Sequence, residues 1–510
     1  MQYYSILYES SEIELSENQN NFSESLKDLN LDQIIQEIVR DRDEYDLEAF
    51  FCHPLKNISA VNYRLDLMRD LENSNLYGAL VSFAHGMKKV RDYEGFSFSL
   101  HNKAQCEKWK LDAAYEYCKT LLHLYESLCS LSFTSKGFQL FSVWLTEYIK
   151  SDYFHTLLSE TEKLEEEFKK IQYAVVVYRD TVTVTPDTEV LDYSAELTET
   201  FKNFLETTSD TPVSIFGDLE MCLLETKILS IVENMYEISF QELKSYAKKH
   251  MDFISDKIRK FDRELQFYIS YLEYIAPLKR KGYSFSLPEF SSAKNIHVTG
   301  GYDLALAHKS LNTDETTVPN DFYLMDDERI FILTGPNQGG KTTFARSFGQ
   351  IFYLACLGCP VPCAAAELCM FDRIFTHFAQ EENLSLNAGR LQEDLLRMKD
   401  IMDHATDSSV IIVNELFSST TSLDAYVMGK RILEYFASLD CIVLYVTHIY
   451  ELSSINHKVV SLTASVDLSA SKAARTYKIL RKPADGFAYA HSIAEKYHLT
   501  YKEIKERIKV

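Results

Sequence analysis

Glycine and proline are scarce in this 510-residue chain, with 16 and 10 copies respectively. So few turn-forming residues over this length favour long helices over many short strands joined by tight turns. Apolar residues make up 46% of the chain and charged residues 25%, which excludes a disordered or fibrous protein. At about one domain per 150 residues, the length predicts two to four domains, each large enough for a hydrophobic core.

The chain also lacks an excess of basic residues. Its 53 Lys and Arg residues stand against 75 Asp and Glu residues, a formal charge of -22. This balance argues against a protein that simply coats nucleic acid, because neutralising phosphates requires clustered Lys and Arg. Residues 286–510 carry 22 basic and 27 acidic side chains, whereas residues 1–285 carry 31 and 48. The acidic excess is therefore concentrated in the first part of the chain.

No segment has the pattern of a membrane span or an export signal. The most apolar stretch, 351–371, is interrupted by Gly358, Pro360, Pro362 and Glu367, so it does not predict a transmembrane helix. The start of the chain lacks the basic and apolar regions of a signal peptide. We therefore expect a cytoplasmic protein without membrane contact.

Ten cysteines are scattered along the chain and form no disulfide framework, which predicts reduced thiols. Cys356 and Cys359 have the spacing of zinc ligands, and Cys363 and Cys369 follow closely. The favoured interpretation is that these thiols act as small buried apolar residues, with a metal site as the alternative.

Residues 1–285 have the pattern of a mostly helical region, because apolar positions recur at three- and four-residue spacing. The longest such series is a heptad seam: Ile254, Ile258, Phe261, Leu265, Tyr268, Leu272 and Ile275. It predicts either a long helix packed along another helix or a lever that carries movement between domains. Residues 173–185 are rich in β-branched side chains and predict a small β hairpin, and residues 3–8 are a candidate strand.

From about residue 286 the pattern changes to short apolar runs that alternate with helical segments. The runs 330–333, 410–413 and 442–446 are each followed by a polar turn, as in parallel strands covered on both faces. The sequence therefore predicts an α+β multidomain protein: a mostly α-helical core and lever region over 1–285, followed by an α/β P-loop domain over 286–510.

A phosphate-binding motif lies directly after the run 330–333. Residues 335–342 fit the pattern G-x-x-x-x-G-K-[ST] in the strand–loop–helix setting that it requires. Backbone N–H groups of such a loop surround phosphate oxygens, Lys341 reaches the β and γ phosphates, and the Thr342 hydroxyl ligates Mg²⁺. The predicted nucleotide-binding residues are Gly335, Pro336, Asn337, Gln338, Gly339, Gly340, Lys341, Thr342 and Thr343.

The ends of the other two apolar runs supply candidate catalytic groups. Glu415 follows the run 410–413 and is placed to activate an attacking water. Asn414 occupies the position where an Asp usually holds the Mg²⁺ shell, and its amide can contact the ion through water. His448 follows the run 442–446 and is a candidate sensor of the γ-phosphate, with a packed strand-end histidine as the alternative.

At these residues the chain resembles the MutS family of DNA mismatch repair ATPases. The matching segments are TVPND (317–321), LTGPNQGGKTT (333–343), PVPCAAAEL (360–368), DRIFTHF (372–378), AGR (388–390), NELFSSTTSLDA (414–425) and VTHIYEL (446–452). Residues 486–507 resemble the family's closing helices, which help to dimerise the ATPase. Residues 50–71 resemble the start of its helical core.

The resemblance implies an ABC-type ATPase that uses ATP and Mg²⁺, forms a homodimer or heterodimer and binds DNA. Three features depart from the family pattern. A mismatch-reading domain is not recognisable, Leu391 stands where the family has the serine that completes the partner's site, and residues 417–419 replace Gly-Arg-Gly. Together with Asn414, the changes at 391 and 417–419 are expected to affect the turnover rate and the signalling between sites, but not nucleotide binding.

Two hypotheses about function follow. The first is a dimeric clamp on mismatched, branched or recombining DNA, driven by ATP binding and hydrolysis. The second is an ATP-dependent switch or heterodimer subunit that binds protein partners without touching DNA, as the acidic balance of residues 1–285 suggests.

Overall fold

The computed structural model describes residues 3–12, 14, 23–179, 181–186, 221–291, 293–313, 315–378, 389–417, 419–467, 474–483 and 499–508. Their contacts divide them into two compact units. The first unit contains the described residues of Met1–Tyr3, Asn73–Phe133 and Gln139–Asp262, and the second contains those of Tyr4–Glu72, Thr134–Phe138 and Arg263–Val510. The architecture is α+β, mostly helical, with mixed sheets. The functional boundary predicted near residue 285 stays a prediction.

The α-helices are numbered in chain order. They are α1 Ser23–Asp28, α2 Leu31–Val39, α3 Glu48–Phe51, α4 Ile58–Asp70, α5 Ser74–Ser99, α6 Lys103–Cys129, α7 Lys136–Ile149, α8 Asp152–Lys169, α9 Leu223–Met235, α10 Glu237–Lys249, α11 Asp256–Arg280, α12 Leu304–Lys309, α13 Lys341–Cys356, α14 Arg390–His404, α15 Ser422–Leu439 and α16 Tyr501–Ile508.

The strands are numbered in the same way. They are β1 Tyr173–Tyr178, β2 Thr181–Pro186, β3 Glu289–Ser291, β4 Ile296–Gly301, β5 Asn320–Leu324, β6 Ile330–Thr334, β7 Ala365–Cys369, β8 Ile374–Phe378, β9 Val410–Asn414, β10 Ile442–Val446, β11 Val459–Asp467 and β12 Ala474–Arg481.

The long helices of the first unit begin at side chains that cap them. The Asn73 carboxamide accepts from the N–H groups at the start of α5, Asn102 does so for α6, and Ser151 does so for α8. Each cap satisfies N–H groups that have no partner within the helix. Helices α5 and α6 lie side by side, joined by the short connection around residue 101.

Helix α11 contains the predicted heptad seam except for its first residue, Ile254, which lies two residues before the helix begins. Ile258, Phe261 and Leu265 are fully buried, and so is Tyr268. Leu272 is only half-buried, because the helix turns the neighbouring Tyr271 fully inward instead. The 3.6-residue period drifts against a strict seven-residue repeat, so the seam does not stay on one line.

The predicted hairpin is present in the first unit, whereas the candidate strand at 3–8 is not a strand. Strands β1 and β2 pair antiparallel from Tyr173 opposite Pro186 to Tyr178 opposite Thr181. In the second unit, the Ile6 N–H donates to the buried Glu264 carboxylate at 2.9 Å, and its carbonyl accepts from the Tyr268 hydroxyl. The side chains of Glu264 and Tyr268 thus bond the backbone groups of Ile6 that a neighbouring strand would otherwise have bonded.

The main sheet of the second unit has the order β12-β11-β6-β10-β9-β8. Strands β8 to β11 run parallel to β6, and only β12 is antiparallel. Every residue of β6, β9 and β10 is buried, as expected for parallel strands covered on both faces. A smaller mixed sheet has the order β3-β7-β4-β5.

Alternate residues of β6 face the two helical layers of this unit. Ile330 and Ile332 belong to a core cluster with residues of α14 and α15. Phe331 contacts Phe322 and, on α13, Phe348. The period of two along a strand therefore positions α13, which follows the phosphate-binding motif, on the face opposite α14 and α15.

Residues 4–72 pack on α13 and on the turn that follows it. The Gln350 amide donates to the Leu29 carbonyl at 2.8 Å, and the Tyr353 hydroxyl donates to the Phe51 carbonyl at 2.7 Å. The fully buried Arg64 donates to the Leu357 carbonyl at 3.1 Å. The described residues between Tyr4 and Glu72 are thus an integral part of the second unit.

Candidate functional site

The motif at 335–342 forms a loop between β6 and α13. Gly335 and Gly340 have φ values of 130° and 89°, which favour glycine, and Gln338 also has a positive φ of 58°. A methyl group on Gly335 would overlap Ala464 on the neighbouring strand β11. The loop therefore depends on glycine for both its backbone conformation and its close approach to the sheet.

Lys341 is held inside this loop. Its side chain is 4% exposed, and its ammonium group donates to the carbonyls of Gly335 and Pro336, each at 3.1 Å. Burial lowers the pKa of Lys341, and the Glu415 carboxylate, 3.9 Å away, opposes that shift. The ammonium is thus desolvated and contacts only the partial negative charges of two carbonyl oxygens. An anion with a full negative charge would bind this ammonium more strongly than the carbonyls do.

The ends of three adjacent parallel strands bring the other predicted residues to the same edge of the sheet. Thr342 Oγ1 donates to Asn414 Oδ1 at 3.4 Å, and His448 Nε2 lies 3.1 Å from Glu415 Oε1. Glu415 has a φ of 58°, and its N–H donates to the Val446 carbonyl at 3.0 Å. The left-handed backbone at Glu415 turns the chain out of β9 and aims its carboxylate toward Lys341.

A cavity of about 810 Å³ opens beside the loop. Six of the residues predicted from the sequence line it: Gln338, Gly340, Lys341, Thr342, Thr343 and Glu415. Asn414 lies buried behind Thr342, and His448 contacts Glu415 on its outer side. The volume exceeds the size of a single phosphate group and is ample for a small organic ligand.

Sequence reasoning missed other residues that line this cavity, including Tyr302, Asn320 and Tyr477. Asn320 accepts from the Ile479 N–H at 2.7 Å and donates to the Tyr477 carbonyl at 3.2 Å. These bonds hold Tyr477 at a φ of 56° beside Gly340. Asn320 lies in the segment 317–321 that resembles the family, and nothing in the local sequence places Tyr477 near the loop.

The residues that depart from the family pattern are partly explained by packing. Phe417 is 1% exposed and belongs to the core cluster under α15, and Leu391 packs against the same cluster. Ser418, Ala388 and the greater part of 486–507 lie outside the described residues.

The cysteine cluster does not form a metal site in the described part of the chain. No group of three or more His, Cys, Asp or Glu residues there is arranged to hold a metal ion. Burial raises the pKa of Cys363 and Cys369 to about 11, and that of Cys359 further. These thiols stay protonated and pack as apolar groups.

In the part of the chain that the structure describes, no helix has the length and apolar character needed to cross a membrane.

The glycine loop joins a buried parallel strand to a helix, as the corresponding motif does in the class of P-loop proteins. Residues 331–502 match the family model described as MutS domain V. Two curated relatives, both described as DNA mismatch repair protein MutS, are 29% identical over 277 residues (Petrotoga mobilis) and 28% identical over 263 residues (Staphylococcus carnosus). The chain is thus similar to proteins of the MutS family over about half of its length.

The matched segments cover 54% and 51% of this chain but only 31% and 30% of the relatives. The chain thus spans about a third of the length of the curated relatives that it matches.

Proposed function

We propose that the chain is an ATPase of the MutS type that couples ATP binding and hydrolysis to DNA binding in mismatch repair. The observation that supports it best is the buried Lys341 in the glycine loop, with Glu415 and His448 at the neighbouring strand ends. The similarity of the chain to two proteins named for mismatch repair supports the proposed coupling to DNA binding. The proposed setting is the cytoplasm, without membrane contact.

The residues at the sheet edge fit a triphosphate and a magnesium ion. Lys341 and the N–H groups of 335–343 would hold the β and γ phosphates at the start of α13. Thr342 would ligate Mg²⁺ directly, and Asn414 would hold it through water. When bound, ATP supplies the phosphoanhydride bond that is cleaved, and Mg²⁺ neutralises phosphate charge. Glu415 would take a proton from the attacking water, and His448 would orient Glu415.

Titration with ATP and Mg²⁺ tests the nucleotide site. Lys341→Ala is expected to lower ATP affinity at least a hundredfold, because a desolvated charge pair is worth about 3 kcal/mol or more. Isothermal calorimetry measures the affinity, and Lys399→Ala, at an exposed lysine paired with Asp403, is the matched control. Equal affinities for wild type and Lys341→Ala would refute the assignment.

DNA binding is tested separately with homoduplex, mismatched and four-way-junction DNA, each with and without ATP and Mg²⁺. Affinity that depends on salt and changes with ATP supports a clamp on DNA, and the preferred substrate identifies its target. The acidic balance of residues 1–285 favours the second candidate, a switch that binds protein partners. ATP binding without any DNA binding at low salt would select that candidate.

A further inference from the structure

The helices α5 and α6 differ in charge from the rest of residues 1–285. Residues 74–129 carry seven basic and six acidic side chains together with three histidines, whereas the rest of 1–285 carries 24 basic and 42 acidic side chains. The acidic excess of the first part of the chain therefore lies outside these two helices. A polyanion approaching this surface would meet no net repulsion from α5 and α6 themselves.

A groove of about 350 Å³ lies between the two helices. Two of its lining residues, Gly86 on α5 and Thr120 on α6, lie so close together that a methyl group on the glycine would overlap the threonine. His85 and Lys89 stand on one rim, and Lys119 and His123 on the other. Each pair is four residues apart, so its members lie about 6 Å from each other along the helix axis.

The groove retains positive charge after its internal ion pair is counted. Lys89 pairs with Glu116 at 2.9 Å. Lys119 is exposed, with its ammonium 5.3 Å from the centre of the Tyr115 ring, and it forms no ion pair within the described part of the chain. The remaining lining is mostly hydroxyl and imidazole groups, with the buried Phe83 as the apolar exception.

We propose that this groove binds the phosphodiester backbone of nucleic acid. Lysine ammonium and Ser or Thr hydroxyl groups are the usual donors to backbone phosphates, and both line the groove. A protein partner would be expected to need an exposed aromatic anchor, whereas the aromatic residue that lines the groove, Phe83, is 1% exposed. The proposal rests on the proposed DNA-binding function and adds a contact surface remote in sequence from the nucleotide loop.

The test is the binding of the full chain to a short fluorescent DNA duplex, measured by anisotropy over a series of salt concentrations. Lys119→Ala is expected to weaken binding several-fold and to reduce the slope of log affinity against log salt by about 0.9. Lys89→Ala with Lys119→Ala should reduce the slope by about 1.8. Glu116→Gln should strengthen binding, since it frees Lys89; a merely structural role of the groove would not give these opposite signs.

Lys163→Ala is the matched control, because it removes an equal charge from an exposed lysine of the acid-rich helix α8 in the same unit. An unchanged slope in the groove variants, with wild-type DNA binding intact, would overturn the groove while leaving the proposed function in place. Absence of wild-type DNA binding would overturn both. Binding of poly-glutamate at the groove in place of DNA would also overturn the proposal, in favour of an acidic protein partner.

Discussion

At Asn414 an amide occupies a position where a carboxylate would add negative charge beside Thr342. The two side chains are already joined by a hydrogen bond of 3.4 Å, so the position is suited to hold a hydrated ion without attracting it strongly. A carboxylate there would attract a divalent cation more strongly than the amide does.

Asn414→Asp is therefore expected to lower the Mg²⁺ concentration needed for half-maximal ATP turnover by about tenfold, which corresponds to about 1.4 kcal/mol. A coupled phosphate-release assay over a range of Mg²⁺ measures it, with Asn414→Ala as the variant that removes the oxygen altogether. An unchanged or higher Mg²⁺ requirement in Asn414→Asp would show that the amide is matched to its surroundings in another way.

Gly358, in the turn after α13, shows how one residue can join two parts of a unit. It has a φ of 77°, and a methyl group on it would overlap Arg64 of α4. Gly282 has a φ of 97° but no neighbour that a methyl group would meet. Alanine substitutions at the two positions therefore compare the cost of backbone conformation alone with the combined cost of backbone conformation and packing.

Gly282→Ala is expected to lower the free energy of unfolding by about 1 kcal/mol through the left-handed backbone alone. Gly358→Ala should cost about 1–3 kcal/mol more, because the buried Arg64 must also move. Urea unfolding followed by circular dichroism compares the two variants with wild type. An equal loss of unfolding free energy in both variants would mean that the turn at Gly358 can shift to accommodate the methyl group without an energetic penalty.

At the scale of elements, an ion-pair cluster joins the end of α15 to the strands at the amino-terminal edge of the main sheet. Asp440 lies 2.7 Å from the Lys458 ammonium, 3.2 Å from the Arg329 guanidinium and 3.4 Å from the Lys294 ammonium. Burial alone would raise the pKa of Asp440, but the bond from Lys458 and the charge of Arg329 lower it to about 2.

Because the folded-state pKa lies below the ordinary value of about 3.9, the ionised Asp440 stabilises the fold above about pH 4. That contribution is lost as the pH falls from about 4 to 2. Asp440→Asn, which tolerates the residue's φ of 65°, should thus be less stable than wild type at pH 7, and this difference should fall to about a third at pH 2.5. Urea midpoints at both pH values measure this; the same difference at both would contradict it.

The sequence allowed prediction of the elements whose pattern is local. The strands β6, β9 and β10 were recognised as continuous apolar runs, and the hairpin as alternating Thr and Val. The candidate strand at 3–8 was wrong, since its hydrogen bonds go to Glu264 and Tyr268, whose proximity no local pattern encodes.

The same distinction applies to the candidate site. The glycine loop could be predicted because the motif associated with phosphate binding is a fixed spacing of residues along the chain. Tyr477 could not, because the Asn320 hydrogen bonds that place it beside Gly340 bridge strands far apart in the sequence.

At the scale of the whole molecule, the resemblance to the MutS family implies a dimer. If a partner subunit completes each nucleotide site, as that resemblance implies, sedimentation velocity at micromolar concentration is expected to give a mass near twice 58.9 kDa when ATP and Mg²⁺ are present. Lys341→Ala should not respond to ATP. A monomer under all conditions would contradict the homodimer and leave a heterodimer as the assembly to test.

The packing of the described residues between 4 and 72 against α13 also has a consequence for synthesis of the chain. Leu29 is made early, but its partner Gln350 follows 321 residues later. At about 5–20 residues per second, the ribosome needs about 16–64 s to produce that partner. During this interval the segments that pack on α13 lack that helix, so newly made chains are expected to depend on chaperones until it emerges.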